Sequence, residues 1–149
     1  MELLVKNRKF QICSAIVIGI VMLGVIGPFV TRSPSEGVGG RYEPPSFNFL
    51  LGTDMAGRDI FAQLCVAIRD SLWVGIIAGF SSLIIAILIG GFLAYKRGLV
   101  DEGANLVTNI FLVLPELVIL IIIAALLGYR SLEIVGILIG LFSWPWMAR

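Results

Sequence analysis

The stretch Leu51-Gly-Thr-Asp-Met-Ala-Gly-Arg-Asp59 lies between a first long apolar run and three later ones. It is the most polar and most glycine-punctuated part of the chain. Its Thr53 or Asp54 can cap a turn through a side-chain oxygen, and Gly57 can adopt a positive φ angle. In a chain this apolar, such a polar connector indicates a surface with a functional role. The predicted connector site comprises Gly52, Thr53, Asp54, Gly57, Arg58 and Asp59.

A short amphipathic helix is predicted over residues 58–70. Asp59 would lie in its first turn, where a negative charge suits the helix dipole. The segment is too short to span a membrane, so it either lies in the membrane interface or packs as a surface helix on other membrane helices. Its apolar side chains recur at helical spacing at Ile60, Phe61, Leu64, Cys65 and Ile68.

The apolar runs on either side of the connector predict an all-α, multi-pass membrane protein. Hydrophobic residues make up 58% of the chain and charged residues 14%, against about a quarter charged in an average soluble domain. A run of about twenty residues, rising about 1.5 Å per residue, crosses a hydrocarbon core of roughly 30 Å. The four predicted spans are residues 10–30, 72–95, 106–127 and 132–146.

The first run is interpreted as an uncleaved membrane anchor. A cleaved signal peptide is the competing interpretation, but the run is long and Gly27-Pro-Phe-Val-Thr31 offers no cleavage site between small residues. The basic residues Lys6, Arg8 and Lys9 precede the run, which predicts a cytoplasmic N-terminus. By alternation, the predicted external segments are residues 31–71 and 128–131, and the internal ones are residues 96–105 and Arg149.

This topology divides the chain into three predicted parts in the cell membrane. Residues 1–30 form a cytoplasmic tail and the first span, and residues 31–70 form an external polar connector with the amphipathic helix. Residues 71–149 form the start of a transmembrane domain with spans two to four.

Two glycine pairs at GxxxG spacing predict close packing of helices within the bilayer. Small residues let helix backbones approach each other in lipid. The pairs are Gly75 with Gly79 in the second predicted span and Gly136 with Gly140 in the fourth.

Glu116 is an ionisable residue near the middle of the third predicted span, directly after Pro115. A carboxylate in lipid costs several kcal/mol, so such residues usually face a bundle interior or a wet cavity. Pro115 removes a backbone hydrogen bond and is expected to kink the helix. One interpretation is that Glu116 and Pro115 line a translocation path. The other is that Glu116 is protonated, or is bonded to a neighbouring helix as a packing device.

The composition excludes several kinds of chemistry. The chain has no histidine, which is the commonest general base and metal ligand, and no phosphate-binding loop motif. Cys13 and Cys65 are predicted on opposite sides of the bilayer, where they form neither a disulfide nor a metal site. A net charge of +1 gives no indication of a nucleic-acid partner. We therefore predict a protein that is not an enzyme and carries no cofactor or metal.

Several short motifs occur in an order and spacing that identify a family. They are Leu51-Gly-Thr-Asp-x-x-Gly-Arg-Asp59, Arg69-x-Ser71-Leu72, Val100-Asp-Glu102 and Trp144-Pro-x-x-Ala-Arg149. From about residue 10 onward the chain resembles the C-type transmembrane permease subunits of the dipeptide, oligopeptide and nickel ABC importers. It departs from the family pattern after Asp59, where Ala62-Gln63-Leu64 replaces a common Ser-Arg-Leu, and at Ala67, where a glycine is common.

The resemblance implies a membrane subunit that forms part of a translocation path. Its implied partners are a second homologous permease, two cytoplasmic ATPase subunits that hydrolyse ATP, an external solute-binding protein and the lipid bilayer. The connector would lie on the external side. The family continues into a cytoplasmic loop with a Glu-Ala-Ala motif, so this chain corresponds to the N-terminal part of such a subunit.

Two functions of other classes are compatible with the residues alone. One is a small multi-pass scaffold or assembly subunit without a transport path. The other is a secondary carrier in which Glu116 binds a proton or ion. The spans carry no code for the solute, so the sequence does not name it.

Overall fold

The computed structural model describes residues 7–95, 103, 106, 108–110, 113, 115–127 and 131–148. Side chains are described for all of these except residues 92–95, 124, 127 and 148. In these residues the regular structure is helical, apart from an isolated antiparallel bridge between Thr53 and Asp59. The all-α prediction is confirmed. The helices are α1 (Arg8–Val30), α2 (Ile60–Tyr95), α3 (Glu116–Leu127) and α4 (Leu132–Ala148).

Two of these helices are long and apolar enough to cross a membrane, namely Arg8–Val30 and the Ile60–Gly91 part of α2. Leu132–Met147 is a shorter apolar helix. The third predicted span falls partly outside the described residues. Residues 108–110 and Val113 are helical, Pro115 is not, and α3 begins at Glu116. The number of four spans and the cytoplasmic N-terminus therefore stay predictions.

The predicted boundary between an amphipathic helix and a second span is wrong, because α2 runs through both without a break over 36 residues. Its first dozen residues contain neither glycine nor proline, so nothing there ends a helix. Asp70 stays in the helix with its carboxylate 3.0 Å from Arg69 Nη2. At about 1.5 Å per residue the helix is about 54 Å long, well beyond a hydrocarbon core of roughly 30 Å.

The apolar stripe predicted for this segment is only partly the buried one. Cys65 is fully buried, but Ile60 and Leu64 are exposed, and the predicted stripe left out Ala62, which is also fully buried. Buried small residues mark a face that a helix neighbour approaches closely. Asp59 also lies one position earlier than predicted, as the residue before the helix rather than within its first turn.

The chain forms two compact units, Met1–Leu72 and Trp73–Arg149. In the first unit α1 packs on the start of α2 through two glycines. A methyl group placed on Gly27 would lie 2.8 Å from Cβ of Cys65, and one on Gly24 would lie 2.7 Å from Cγ2 of Ile68. These distances leave no room for a side chain, so the glycines set how closely the helices approach. Cys13 is exposed and, like Cys65, is a free thiol.

In the second unit α4 packs on α2. A methyl group on Gly136 would lie 2.9 Å from Cβ of Ile77, and one on Gly140 would collide with Oγ of Ser81 and lie 2.8 Å from the Ala78 carbonyl oxygen. Trp144 and Pro145 are buried in the last turns of α4.

Candidate functional site

Asp54 organises the turn at the centre of the connector. Its Oδ1 accepts hydrogen bonds from the backbone N–H groups of Ala56 (2.8 Å) and Arg58 (3.0 Å). Its Oδ2 accepts from Nε of Arg58 (2.8 Å) and from Nε2 of Gln63 (3.1 Å). The backbone closes the same turn, since Gly57 N–H donates to the Asp54 carbonyl and Asp54 N–H donates to that of Arg58. One carboxylate thus folds the turn and attaches it to α2 through Gln63.

These donors change the acidity of the carboxyl group. They lower the pKa of Asp54 from its usual 3.8 to about 2, with the backbone N–H of Arg58 as the largest cause. Partial desolvation opposes the shift, while the amide of Gln63, the backbone N–H of Ala56 and the Arg58 side chain add to it. Hydrogen bonds to the charged form favour that form. Asp54 is therefore ionised throughout the physiological pH range.

Thr53 connects this turn to the earlier part of the connector. Its side chain is buried, with Oγ1 donating to the Gly40 carbonyl (2.6 Å) and accepting from the Glu43 N–H (2.8 Å). The Thr53 N–H donates to the Glu43 carbonyl (3.1 Å). The Glu43 carboxylate in turn accepts from the Gly40 N–H. This hydroxyl and the backbone bonds beside it therefore fix residues 40–43 against the turn.

Two glycines adopt the left-handed conformation that the turn requires. Gly52 has a φ of +75° and Gly57 a φ of +74°. The Gly57 carbonyl accepts from the N–H groups of Val38 (2.9 Å) and Gly39 (3.1 Å). A Cβ at Gly57 would collide with the Gly39 carbonyl oxygen, and one at Gly52 with that of Glu43. Both positions therefore need glycine for conformation and for space.

Asp59 begins α2 as its capping residue. Its Oδ1 accepts from the Phe61 N–H at 2.9 Å, which satisfies one of the donors left open at the start of a helix. The Ile60 N–H donates to the Gly52 carbonyl at 3.2 Å. All the residues of the predicted connector site thus meet in one folded turn at the start of α2. What this turn does in function stays a prediction.

Sequence reasoning missed the aromatic centre of the connector. Phe49 is buried, Gly39 lies against its ring, and Cζ of Arg32 lies 5.6 Å from the ring centroid. A cation over an aromatic face is attracted by the ring quadrupole. A basic residue directly after a span and a phenylalanine in a polar loop are the signals from which this pair could have been suspected.

Glu116 is the first residue of α3, directly after Pro115, and its position near the middle of a span stays a prediction. Its Oε1 accepts a hydrogen bond from Oγ of Ser143 in α4 at 2.9 Å. The Pro115 carbonyl accepts from the N–H groups of Val118 and Ile119. Ser143 was not predicted, although it is the single hydroxyl within the fourth apolar run.

The two glycine pairs differ in their surroundings. Gly136 and Gly140 contact α2, as described above. In the described structure, a methyl group on Gly75 or Gly79 would meet no atom within 4 Å apart from those of adjacent residues and of the backbone of its own helix. A role of Gly75 and Gly79 in packing would therefore need a neighbour outside the described contacts.

The sequence of the chain is similar to those of known transport proteins. No protein-family model matches the chain. The chain is 29% identical over 146 residues to the dipeptide transport system permease protein of Bacillus subtilis, covering 97% of this chain and 45% of that protein. It is 26% identical over 146 residues to the oligopeptide transport system permease protein of the same bacterium, covering 97% and 48%. A putative peptide transport system permease protein of Brucella abortus is 29% identical over 127 residues, covering 84% and 43%.

The resemblance to peptide transport permeases is confirmed. Because these relatives are permeases and the chain has long apolar helices, it is a membrane protein. The chain spans about half the length of the curated relatives it matches. The names of these relatives refer to peptide transport systems, and nickel stays a prediction.

Proposed function

We propose that this chain is the N-terminal part of a membrane-spanning permease subunit of an ATP-driven importer of dipeptides or oligopeptides. The observation that carries the proposal is the similarity to peptide permeases over 97% of the chain. The connector motif that first indicated this family lies within that alignment and folds as one turn at the head of α2.

The subunit performs no catalysis of its own in this proposal. Two separate cytoplasmic ATPase subunits hydrolyse ATP, a second homologous permease completes the path, and an external binding protein delivers the peptide. The N-terminus of α1 faces the cytoplasm and the connector faces outward. The support is the basic cluster before α1 and the polar, hydrogen-bonded character of the connector.

The test is uptake of labelled peptide in the native host after deletion of the gene that encodes this chain. We expect loss of dipeptide or oligopeptide uptake, recovery on complementation, inhibition by an inhibitor of the ATPases, and persistence when a protonophore collapses the proton gradient. Uptake that collapses with the protonophore alone would indicate a secondary carrier. Unchanged uptake of peptides and nickel would indicate a scaffold and would overturn the proposal.

Within this function we propose that Glu116, with Pro115, lines the translocation path. The support is that Glu116 is only partly buried. Its hydrogen bond to Ser143 of α4 is the contact that the packing interpretation predicts, so the variants below separate the two roles. Glu116→Gln keeps the Oε1 acceptor for Ser143 but removes the charge. We expect normal amounts of this variant in the membrane with altered uptake, and a larger defect for Glu116→Leu. Normal uptake by the Gln variant would instead identify Glu116 as a packing contact.

A further inference from the structure

The connector exposes three large apolar side chains over residues 47–51, in addition to Tyr42 and Met55. Phe47 is fully exposed, and Leu50 and Leu51 are 58% and 44% exposed, although Phe49 between them is buried. Apolar surface is stabilised by leaving water. We name Phe47, Leu50 and Leu51 the apolar tip.

The contacts of the connector hold this tip close to the end of α1 and the start of α2. On one side the ring of Phe49 contacts the guanidinium of Arg32, which is the second residue after the end of α1. On the other side the carbonyl of Gly52, directly after the tip, accepts from the N–H of Ile60, the first residue of α2. The tip is therefore fixed at both ends within a few residues of where the apolar helices stop.

The surface of α1 at this level is apolar and open. Its last residues, Phe29 and Val30, are 85% and 78% exposed and continue the exposed apolar face that runs along the whole helix. Arg32 follows two residues after the end of α1, and a long basic side chain at the end of a span can reach lipid headgroups. The exposed apolar surface of α1 thus ends close to the point where the tip is attached.

We propose that the apolar tip inserts into the interfacial zone of the lipid bilayer, beside the ends of α1 and α2. The occupant of this surface is the boundary between phospholipid headgroups and acyl chains, which favours apolar and aromatic side chains flanked by basic ones. The connector then rests on the membrane by its tip and keeps the Asp54 turn on its hydrated side. The proposal depends on the membrane location of the chain and not on what it transports.

The experiment measures the depth of nitroxide spin labels on the full chain, purified and reconstituted in phosphatidylcholine vesicles. Cys13→Ser and Cys65→Ala supply a background without native thiols. Labels are attached to Phe47→Cys and Leu50→Cys, whose side chains are exposed, and to Ser35→Cys as an exposed polar control in the same connector. Collision rates with apolar oxygen and with a water-soluble nickel chelate report the depth.

We expect labels at positions 47 and 50 to collide at least severalfold more with oxygen, relative to the nickel chelate, than the label at position 35. Ratios equal at all three positions would overturn the proposal. Protection of position 47 from the chelate only after a protein partner is added would also overturn it, because the partner and not lipid would then cover the tip. The Leu50 label keeps the test decisive if the Phe47 variant reconstitutes poorly.

Discussion

At the scale of single residues, Asp54 is the side chain that holds the connector turn together through hydrogen bonds. Its carboxylate accepts from two backbone N–H groups and from two side chains. Exposed ion pairs contribute little on their own, so the attachment of the carboxylate to the backbone matters more than its charge pair with Arg58. This distinguishes Asp54 from Asp70, whose described contact is an exposed pair with the neighbouring Arg69.

The pH dependence of the turn follows from the lowered pKa of Asp54. Because the folded value of about 2 lies below the usual 3.8, the ionised group stabilises the turn fully above the usual value. This stabilisation falls as the pH drops from about 4 and is lost as the pH passes the folded value of about 2. We expect the ¹³C resonance of the Asp54 carboxyl, recorded in detergent micelles, to titrate with a midpoint near 2. A midpoint near 4 would show that the carboxylate is not bonded as described.

Gly57 gives a second residue-scale prediction. Gly57→Val places a β-branched residue at a φ of +74° and drives its Cβ into the Gly39 carbonyl oxygen. Backbone strain of this type costs about 1–3 kcal/mol. Arg58→Lys, the matched control, keeps the backbone N–H that Asp54 accepts. We expect the Val variant to accumulate poorly in membranes and to melt earlier in detergent, with the Lys variant close to the parent. Equal behaviour of the two variants would contradict the role assigned to the turn geometry.

At the scale of elements, the close packing of α4 on α2 depends on the glycines of α4. A side chain at Gly140 meets Ser81 and the Ala78 carbonyl, whereas Gly75 has open space around it. Overpacking of a close contact costs about 1–3 kcal/mol. We therefore expect Gly140→Val to lower the unfolding temperature of the purified chain, and Gly75→Val to leave it nearly unchanged. A comparable loss from Gly75→Val in the isolated chain would reveal a contact on that face that the described structure lacks.

The elements also show where sequence reasoning worked. The apolar runs gave the helices, because a run of apolar residues longer than a bilayer has few alternatives to a helix. The same reasoning placed a helix boundary near Asp70, where none exists. Polarity alone does not end a helix, and a charged pair such as Arg69 with Asp70 remains helical when it is exposed. The absence of glycine and proline between residues 60 and 72 was the better signal.

The contacts of the connector site also divide into those that the sequence predicted and those that it did not. Asp54 and Gly57 were predictable, because their roles are local: an acceptor for nearby N–H groups and a positive φ. Three other contacts were not predicted. They join Thr53 Oγ1 to Gly40 and Glu43, Arg32 to Phe49, and Ser143 to Glu116. Each joins positions far apart along the chain, and such contacts depend on a fold that no short-range spacing encodes.

At the scale of the whole molecule, α1 separates the N-terminus from the connector. The basic residues before it predict a cytoplasmic N-terminus and an external connector. In intact cells we expect a membrane-impermeant maleimide to label Ser35→Cys but not Asn7→Cys, both in the background without native thiols. The Asn7 variant should react only after the membrane is permeabilised. Labelling of Asn7→Cys in intact cells, without labelling of Ser35→Cys, would show that the chain has the opposite orientation.

The contact between Gly27 and Cys65 affects how far the length of the connector can vary. It holds the end of α1 beside the start of α2, so the connector joins two points whose separation is already set. In polymer terms, doubling a flexible loop between fixed ends costs only about 0.6 kcal/mol of closure entropy. Residues 33–36 enter none of the hydrogen bonds described above, whereas Val38 onward is bonded to the turn. Within the connector, insertions or deletions among residues 33–36 are therefore the length changes that the helices on either side can best tolerate.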